Sequence, residues 1–211
     1  MKKFLFLAAS VCAISYVQPV LAEEKVAVET PMGVESYTFD KAHTQILFFV
    51  DHLGFSKSQG EFLDFDGSFN FDLKNPEKSN VDVTINTAGL DMDDEKWNAH
   101  MKNADFFDVE KFPTMTFKST SIEVTGENTA NITGDLTLLE VTKPVVLSVK
   151  HNKSGKHAFS GEYVSGFSAT TTIKRSEFGM KYGLPMIGDD VEVRLEIEGV
   201  RSKGEDAEVA K

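Results

Sequence analysis

The chain has 211 residues and a formal net charge of −11 at pH 7, from 33 acidic against 22 basic side chains. A surface this acidic gains nothing from a phosphate backbone or an anionic membrane, which excludes nucleic acid as a main partner. The single cysteine, Cys12, allows no disulfide within the chain, so burial alone must stabilise the fold.

The chain opens with Met1-Lys2-Lys3, an apolar run over residues 4–17, and Val20-Leu21-Ala22 ahead of Glu23-Glu24. A charged start, an apolar middle and a small-x-small end make a secretory signal peptide over residues 1–22. As a membrane span the run falls short of the roughly 20 apolar residues required, and Ser10, Ser15, Gln18 and Pro19 interrupt it. Cleavage after Ala22 removes Cys12, and with it thiol catalysis and thiolate metal sites; export places the mature protein in the periplasm. Residues 23–36 read as an N-terminal leader, 37–201 as the folded domain and 202–211 as a short, charged, flexible tail.

Between leader and tail the chain alternates with period two, the rhythm of half-buried strands. Ile46, Phe48, Val50 and His52 share one face. Over residues 60–72, Phe62 lies on even positions but Phe65, Phe69 and Phe71 on odd ones, the phase switch that a bulge or sharp bend produces. Val81, Val83 and Ile85 follow; then Met115 and Phe117, continued by Ile122 and Val124; then Ile132, Leu136 and Leu138. Val145, Leu147 and Val149 form the next strand, then Phe167, Ala169, Thr171 and Ile173, and last Val191, Val193, Leu195 and Ile197. About eight strands with one dry face each make an antiparallel sheet that closes as a sandwich or a barrel.

One segment breaks the rhythm. Over residues 91–104 the spacing becomes helical, with Trp97, His100, Met101 and Ala104 on one stripe and Asp91, Asp93, Asp94 and Glu95 at the N-terminal end, where carboxylates cap amides and complement the helix dipole. Such a helix would lie as a lid over an open barrel end, followed by Phe106-Phe107.

The aromatic usage points inward. There are 17 Phe against 4 Tyr and 1 Trp, and Phe alone of the three leaves no polar atom to satisfy in a dry interior. Catalytic signatures are lacking: no G-x-S-x-G, H-E-x-x-H, P-loop or G-x-G-x-x-G occurs. The five histidines, His43, His52, His100, His151 and His157, have no ligand spacing, so no metal and no cofactor is expected. His52 reads either as a structural histidine or as a polar anchor at a pocket mouth. Arg175, in Lys174-Arg175-Ser176-Glu177-Phe178-Gly179-Met180, reads as a rim cation that either pairs with Glu177 or a nearby Asp or meets a phosphate or quinone oxygen.

Four motifs occur in order across the domain: Asp40-x-x-His43-Thr44-x-Ile46-x-Phe48-x-Val50-x-His52-Leu53-Gly54 with Gly60-x-Phe62-x-x-Phe65-Asp66-Gly67; His100-Met101-x-x-Ala104-Asp105-Phe106-Phe107-Asp108-Val109-x-Lys111-Phe112-Pro113; Gly134-Asp135-Leu136-Thr137 with Val141-Thr142-Lys143-Pro144-Val145; and Arg175-Ser176-Glu177-Phe178-Gly179-Met180. Together they resemble the YceI-like family of periplasmic polyisoprenoid-binding proteins. The resemblance implies an all-β, eight-stranded antiparallel, lipocalin-like barrel, and a tunnel for an isoprenoid chain, a quinone tail or a fatty amide. Glu140 stands where members often carry a glycine, which marks the turn before Val141 as a departure.

The expected function is that of a carrier holding a long-chain lipid, without catalysis. Ile46, Phe48, Val50, His52, Phe69, Phe71, Trp97, Met101, Phe106, Phe107, Met115, Phe117, Phe167, Arg175, Phe178 and Met180 are the expected ligand contacts. The competing readings are an enzyme that modifies an isoprenoid lipid, using His43, His52 or His100, and a binding module for a membrane redox protein. Transient contact with an inner-membrane protein and pairing as a homodimer are compatible with the carrier reading.

Overall fold

A computed structural model describes residues 33–202. The expected signal peptide and nearly all of the leader and tail lie outside the described residues. The strands are β1 (Val34–Phe39), β2 (Gln45–His52), β3 (Ser56–Phe62), β4 (Phe65–Asp72), β5 (Asn80–Asn86), β6 (Leu90–Asp91), β7 (Thr114–Val124), β8 (Thr129–Leu138), β9 (Val141–Lys156), β10 (Tyr163–Lys174) and β11 (Ile187–Arg201). β1 begins at Val34, inside the expected leader, because its register with β4, from Val34↔Asp72 to Thr38↔Ser68, extends the ladder past the point where alternation fades.

These segments occupy the positions of a closed eight-stranded antiparallel barrel. β1 and β2 share one position: both pair with β11, Phe39 opposite Gly199 and Gln45 opposite Glu196, with residues 40–44 looped out between them. β3 and β4 share the next, since Phe62 pairs with Leu90 of β6 and Phe65 with Ile85 of β5. β5 and β6 share the third, and β7 to β11 complete the ring.

The phase switches in the sequence are the bends of this ring. Leu63 and Asp64 join β3 to β4; Leu63 turns out to solvent while Phe62 and Phe65 on either side are both buried. In β7 the register steps from Ser119↔Gly134 to Ser121↔Thr133. That bulge at Thr120 transfers the inward face from Met115 and Phe117 to Ile122 and Val124. A third irregularity lies between Phe167↔His151 and Gly166↔Lys153 of β10 and β9.

The helix α1 spans Glu95–Lys102, shorter than the sequence pattern suggests. Asp94 is its N-cap, accepting from the amides of Lys96 and Trp97. Asp91 belongs to the sheet instead: it pairs with Glu61, and its carboxylate accepts from the Asp93 amide and the Asn98 side chain. Sheet pairing thus delays the helix by one turn. No residue of α1 is buried, because its stripe faces an opening rather than a packed core. Ala104 lies beyond the helix, exposed.

β8 and β9 are joined by Leu139 and Glu140, with φ of 51° and 61°. A two-residue hairpin of this kind needs left-handed backbone at both positions, which costs a residue bearing a Cβ about 1–2 kcal/mol. Glu140→Gly relieves that strain at one position and loses part of the gain to unfolded-chain entropy. The expected net effect is stabilisation by up to about 1 kcal/mol, read as a higher Tm or denaturant midpoint than wild type.

Candidate functional site

The barrel encloses a cavity of about 570 Å³, within the range of roughly 300–1,000 Å³ typical of small-molecule sites. It runs from the opening beneath α1, where Trp97, His100 and Tyr182 border it, to the β7–β8 turn at Gly126, Glu127 and Asn128. Between the two ends the wall is apolar, formed by the inward positions of the strands, among them Val83, Leu136, Leu147 and Leu195.

The interior is rich in phenylalanine and yet hollow, and some of its rings lie over glycines of the wall. A Cβ on Gly60 would sit 2.3 Å from Cζ of Phe48, the residue opposite it on β2. One on Gly134 would sit 2.3 Å from Cζ of Phe117 and 2.7 Å from the Lys118 carbonyl oxygen. Each ring thus occupies the space of a missing side chain on the neighbouring strand instead of projecting to the axis. Towards the far end, Phe69 and Phe71 meet Phe167 edge to face at 5.4 and 5.1 Å, and Tyr37 stacks on Phe69 at 4.8 Å. Towards the helix end, Phe62 and Phe107 meet edge to face at 5.5 Å.

Of the residues singled out from the sequence, Ile46, Phe48, Val50, His52, Phe69, Phe71, Trp97, Met101, Phe106, Phe107, Met115, Phe117, Phe167, Arg175 and Met180 all line this cavity. Phe178 does not. It sits in a short 3-10 turn (Arg175–Phe178) with 2% of its surface exposed, so the turn directs it into the protein rather than at the lumen. His43 is also away from the wall, exposed, with Nδ1 2.7 Å from Asp40 Oδ2. That contact holds Asp40 below and His43 above their usual pKa values and fastens the looped-out turn between β1 and β2. Glu198 approaches the same pair on the outer surface.

Arg175 is buried, with 3% exposure, and Glu177 does not hold it. Its Nε donates to the Gly188 carbonyl (2.8 Å), Nη1 to Met180 (3.2 Å) and Nη2 to Ile187 (3.0 Å). Glu177 pairs with Lys143 instead. The nearest acidic influence on Arg175 is Asp189, whose carboxylate is occupied by the Ser176 amide and hydroxyl.

Among the wall residues that sequence reasoning missed are Tyr182 and His151. Tyr182 comes from the β10–β11 loop, where no periodicity marks it; its ring meets His100 at 5.2 Å and Phe106 at 5.3 Å. His151 continues the inward series Val145, Leu147, Val149, so its phase was a usable signal. It lies between Phe71 and Phe167, 5.2 Å from each. Its Nε2 contacts Ser154 Oγ at 2.8 Å, and Ser154 contacts the fully buried Ser165 at 2.7 Å.

The YceI-like domain model matches residues 37–199. The chain belongs to the YceI-like family. A UPF0312 protein of Ectopseudomonas mendocina is 47% identical over 167 residues, 78% of this chain and 87% of the relative. The YceI protein of Campylobacter jejuni superposes with a TM-score of 0.65 at 30% identity, covering 72% of this chain and 90% of its own. BcnA of Burkholderia cenocepacia has the same fold, with a TM-score of 0.69 at 24% identity over 76% of this chain and 98% of its own. So does a polyisoprenoid binding domain from Saccharophagus degradans, with a TM-score of 0.59 at 12% identity over 80% of this chain and 99% of its own.

Burial lowers the pKa of His151, so the folded barrel holds the ring neutral. A depressed histidine pKa contributes stability that is complete above the unfolded value of about 6.5 and is lost as pH falls through it. Thermal unfolding should therefore show a loss of Tm between pH 7.5 and 5.5 that is smaller in His151→Gln than in wild type; equal losses would remove His151 as the cause.

Proposed function

We propose that the protein is a periplasmic carrier or reservoir for a long-chain apolar lipid, a polyisoprenoid, quinone tail or fatty amide, with residues 1–22 acting as its export signal. The observation that carries this reading is the apolar cavity of about 570 Å³ running between the two ends of the barrel. A buried methylene contributes about 0.8 kcal/mol, so an alkyl or prenyl chain gains affinity from its length alone. Family membership supports the reading, as does the polyisoprenoid binding domain of the same fold from Saccharophagus degradans. The aromatic rings and Met101, Met115 and Met180 would contact the chain, while Trp97, Phe106 and Phe107 would close over one end. Cavity walls of this kind select for girth and length and tolerate variation in the lipid.

The role is one of binding, without a reaction. Among the described residues, His52 and His100, the histidines at the opening, have no neighbouring nucleophile in hydrogen-bond contact; His100 contacts Asp105 at 3.2 Å and His52 packs on Trp97 at 5.8 Å.

Organic extraction of the full chain expressed with its export signal, followed by mass spectrometry, should recover a prenyl or other long-chain lipid in near-stoichiometric amount. Gly60→Ala should reduce that yield severalfold, because its Cβ drives the Phe48 ring towards the lumen. Protein that is consistently empty, and takes up no lipid on incubation, overturns the carrier reading.

A further inference from the structure

The polar groups of the cavity are distributed unequally between its ends. At the β7–β8 end several are committed within the protein. Asn70 accepts from Ser36 and donates to Asn80, Ser79 accepts from the Asp72 amide, Thr129 from Thr125, and His151 contacts Ser154. The one acidic residue on the wall among those described, Glu127, is at this end, exposed to solvent.

At the helix end the polar groups are available. Arg175 is the one lysine or arginine on the wall among the described residues. A guanidinium has five N–H donors, and three are taken, all by carbonyls. The other two, on Nη1 and Nη2, are uncommitted among the described residues, and Asp189 acts on the charge only from a distance, without a salt bridge. Buried cations are normally matched by a counter-charge, since the desolvation penalty is several kcal/mol. Arg175 bonds the carbonyl of Ile187, the residue paired with His52 across the β11–β2 ladder. The ring nitrogens of His52 and the hydroxyls of Ser58 and Tyr182, all on the wall at this end, also make no hydrogen bond among the described residues.

We propose that the helix end is an oxyanion-binding subsite and that the cavity binds its lipid in one orientation. The carboxylate or phosphate of the ligand meets the Nη1–Nη2 edge of Arg175, with His52 and Tyr182 beside it, and the chain runs towards the β7–β8 turn. This rests on the carrier reading and narrows it to amphiphiles with an acidic head. An oxyanion satisfies the planar guanidinium fork. The opposite end repels it, since Glu127 carries the same sign of charge.

The chain has a single tryptophan, Trp97, and it borders the helix end of the cavity. Its fluorescence therefore reports orientation. A stearate carrying a nitroxide near the carboxylate should quench Trp97 strongly, and one carrying it near the terminal methyl should quench weakly. In competition, hexadecanoate and hexadecyl phosphate should each bind the full-length protein about tenfold or more tighter than hexadecanol, the contribution of one charge-assisted hydrogen-bonded contact. The stronger of the two acids identifies the natural head. Arg175→Met should abolish the difference between the acids and hexadecanol. Should that variant not fold, Arg175→Lys, which keeps the charge but loses the fork, should reduce the difference. Equal binding of acids and alcohol by wild type, or stronger quenching from the terminal nitroxide, overturns the proposal and leaves the carrier reading standing. If none of the amphiphiles binds, both fall.

Discussion

β11 is long enough to pair with two strands in succession, β2 along most of its length and β1 at its C-terminal end. Through that double pairing the hydrogen-bond ladder closes, so the ring formed by β1, β4, β5 and β7 to β11 has no free edge. A closed ring also fixes what lies within. Every second side chain of every strand must point to a common axis, and the ring has a set circumference that those side chains either fill or do not.

Here they do not fill it, and the reason is local. Phenylalanine is large enough to reach the axis of a small barrel, and seventeen of them in one chain could have made a solid core. Glycines on neighbouring strands draw some of the rings onto the wall. Phe48 settles over Gly60 and Phe117 over Gly134, so the rings thicken the wall and leave the lumen open. Towards the far end side chains do meet across the barrel, Phe71 of β4 with His151 of β9 and Phe167 of β10. The bends between β3 and β4 and within β7 belong to this scheme too, as each brings the apolar face back inward where the strand must curve.

The polar groups divide between support and availability. Asp40 with His43, and Tyr37 with Ser165, Ser154 and His151, are satisfied within the protein and hold the looped-out turn and the β9–β10 region. Arg175 does both: three carbonyls on the β10–β11 loop and the start of β11 hold it in place, and its charge remains for whatever enters the cavity. One buried side chain thereby organises the loop at the opening and gives the apolar interior a polarity along its length.

Period two made the inward residues of most strands legible in the sequence, from Ile46, Phe48 and Val50 to Val191, Val193 and Leu195, because a strand exposes alternate residues to one side whatever its neighbours are. The phase change near Phe62 was legible for the same reason, and the four motifs carried the family. The start of the helix was not, since Asp91 reads as a first-turn carboxylate until its pairing with Glu61 places it in the sheet. Nor were the carbonyl partners of Arg175, the burial of Phe178 or the position of Tyr182. These depend on where a loop without periodicity folds back over the end of the barrel. The sequence by itself determined which faces are dry, since local alternation encodes that, while the closed barrel came from the resemblance carried by the four motifs. Only the tertiary structure decided that the interior is a cavity rather than a plug, and which polar groups at its ends remain uncommitted, because both depend on contacts between strands and loops far apart in the chain.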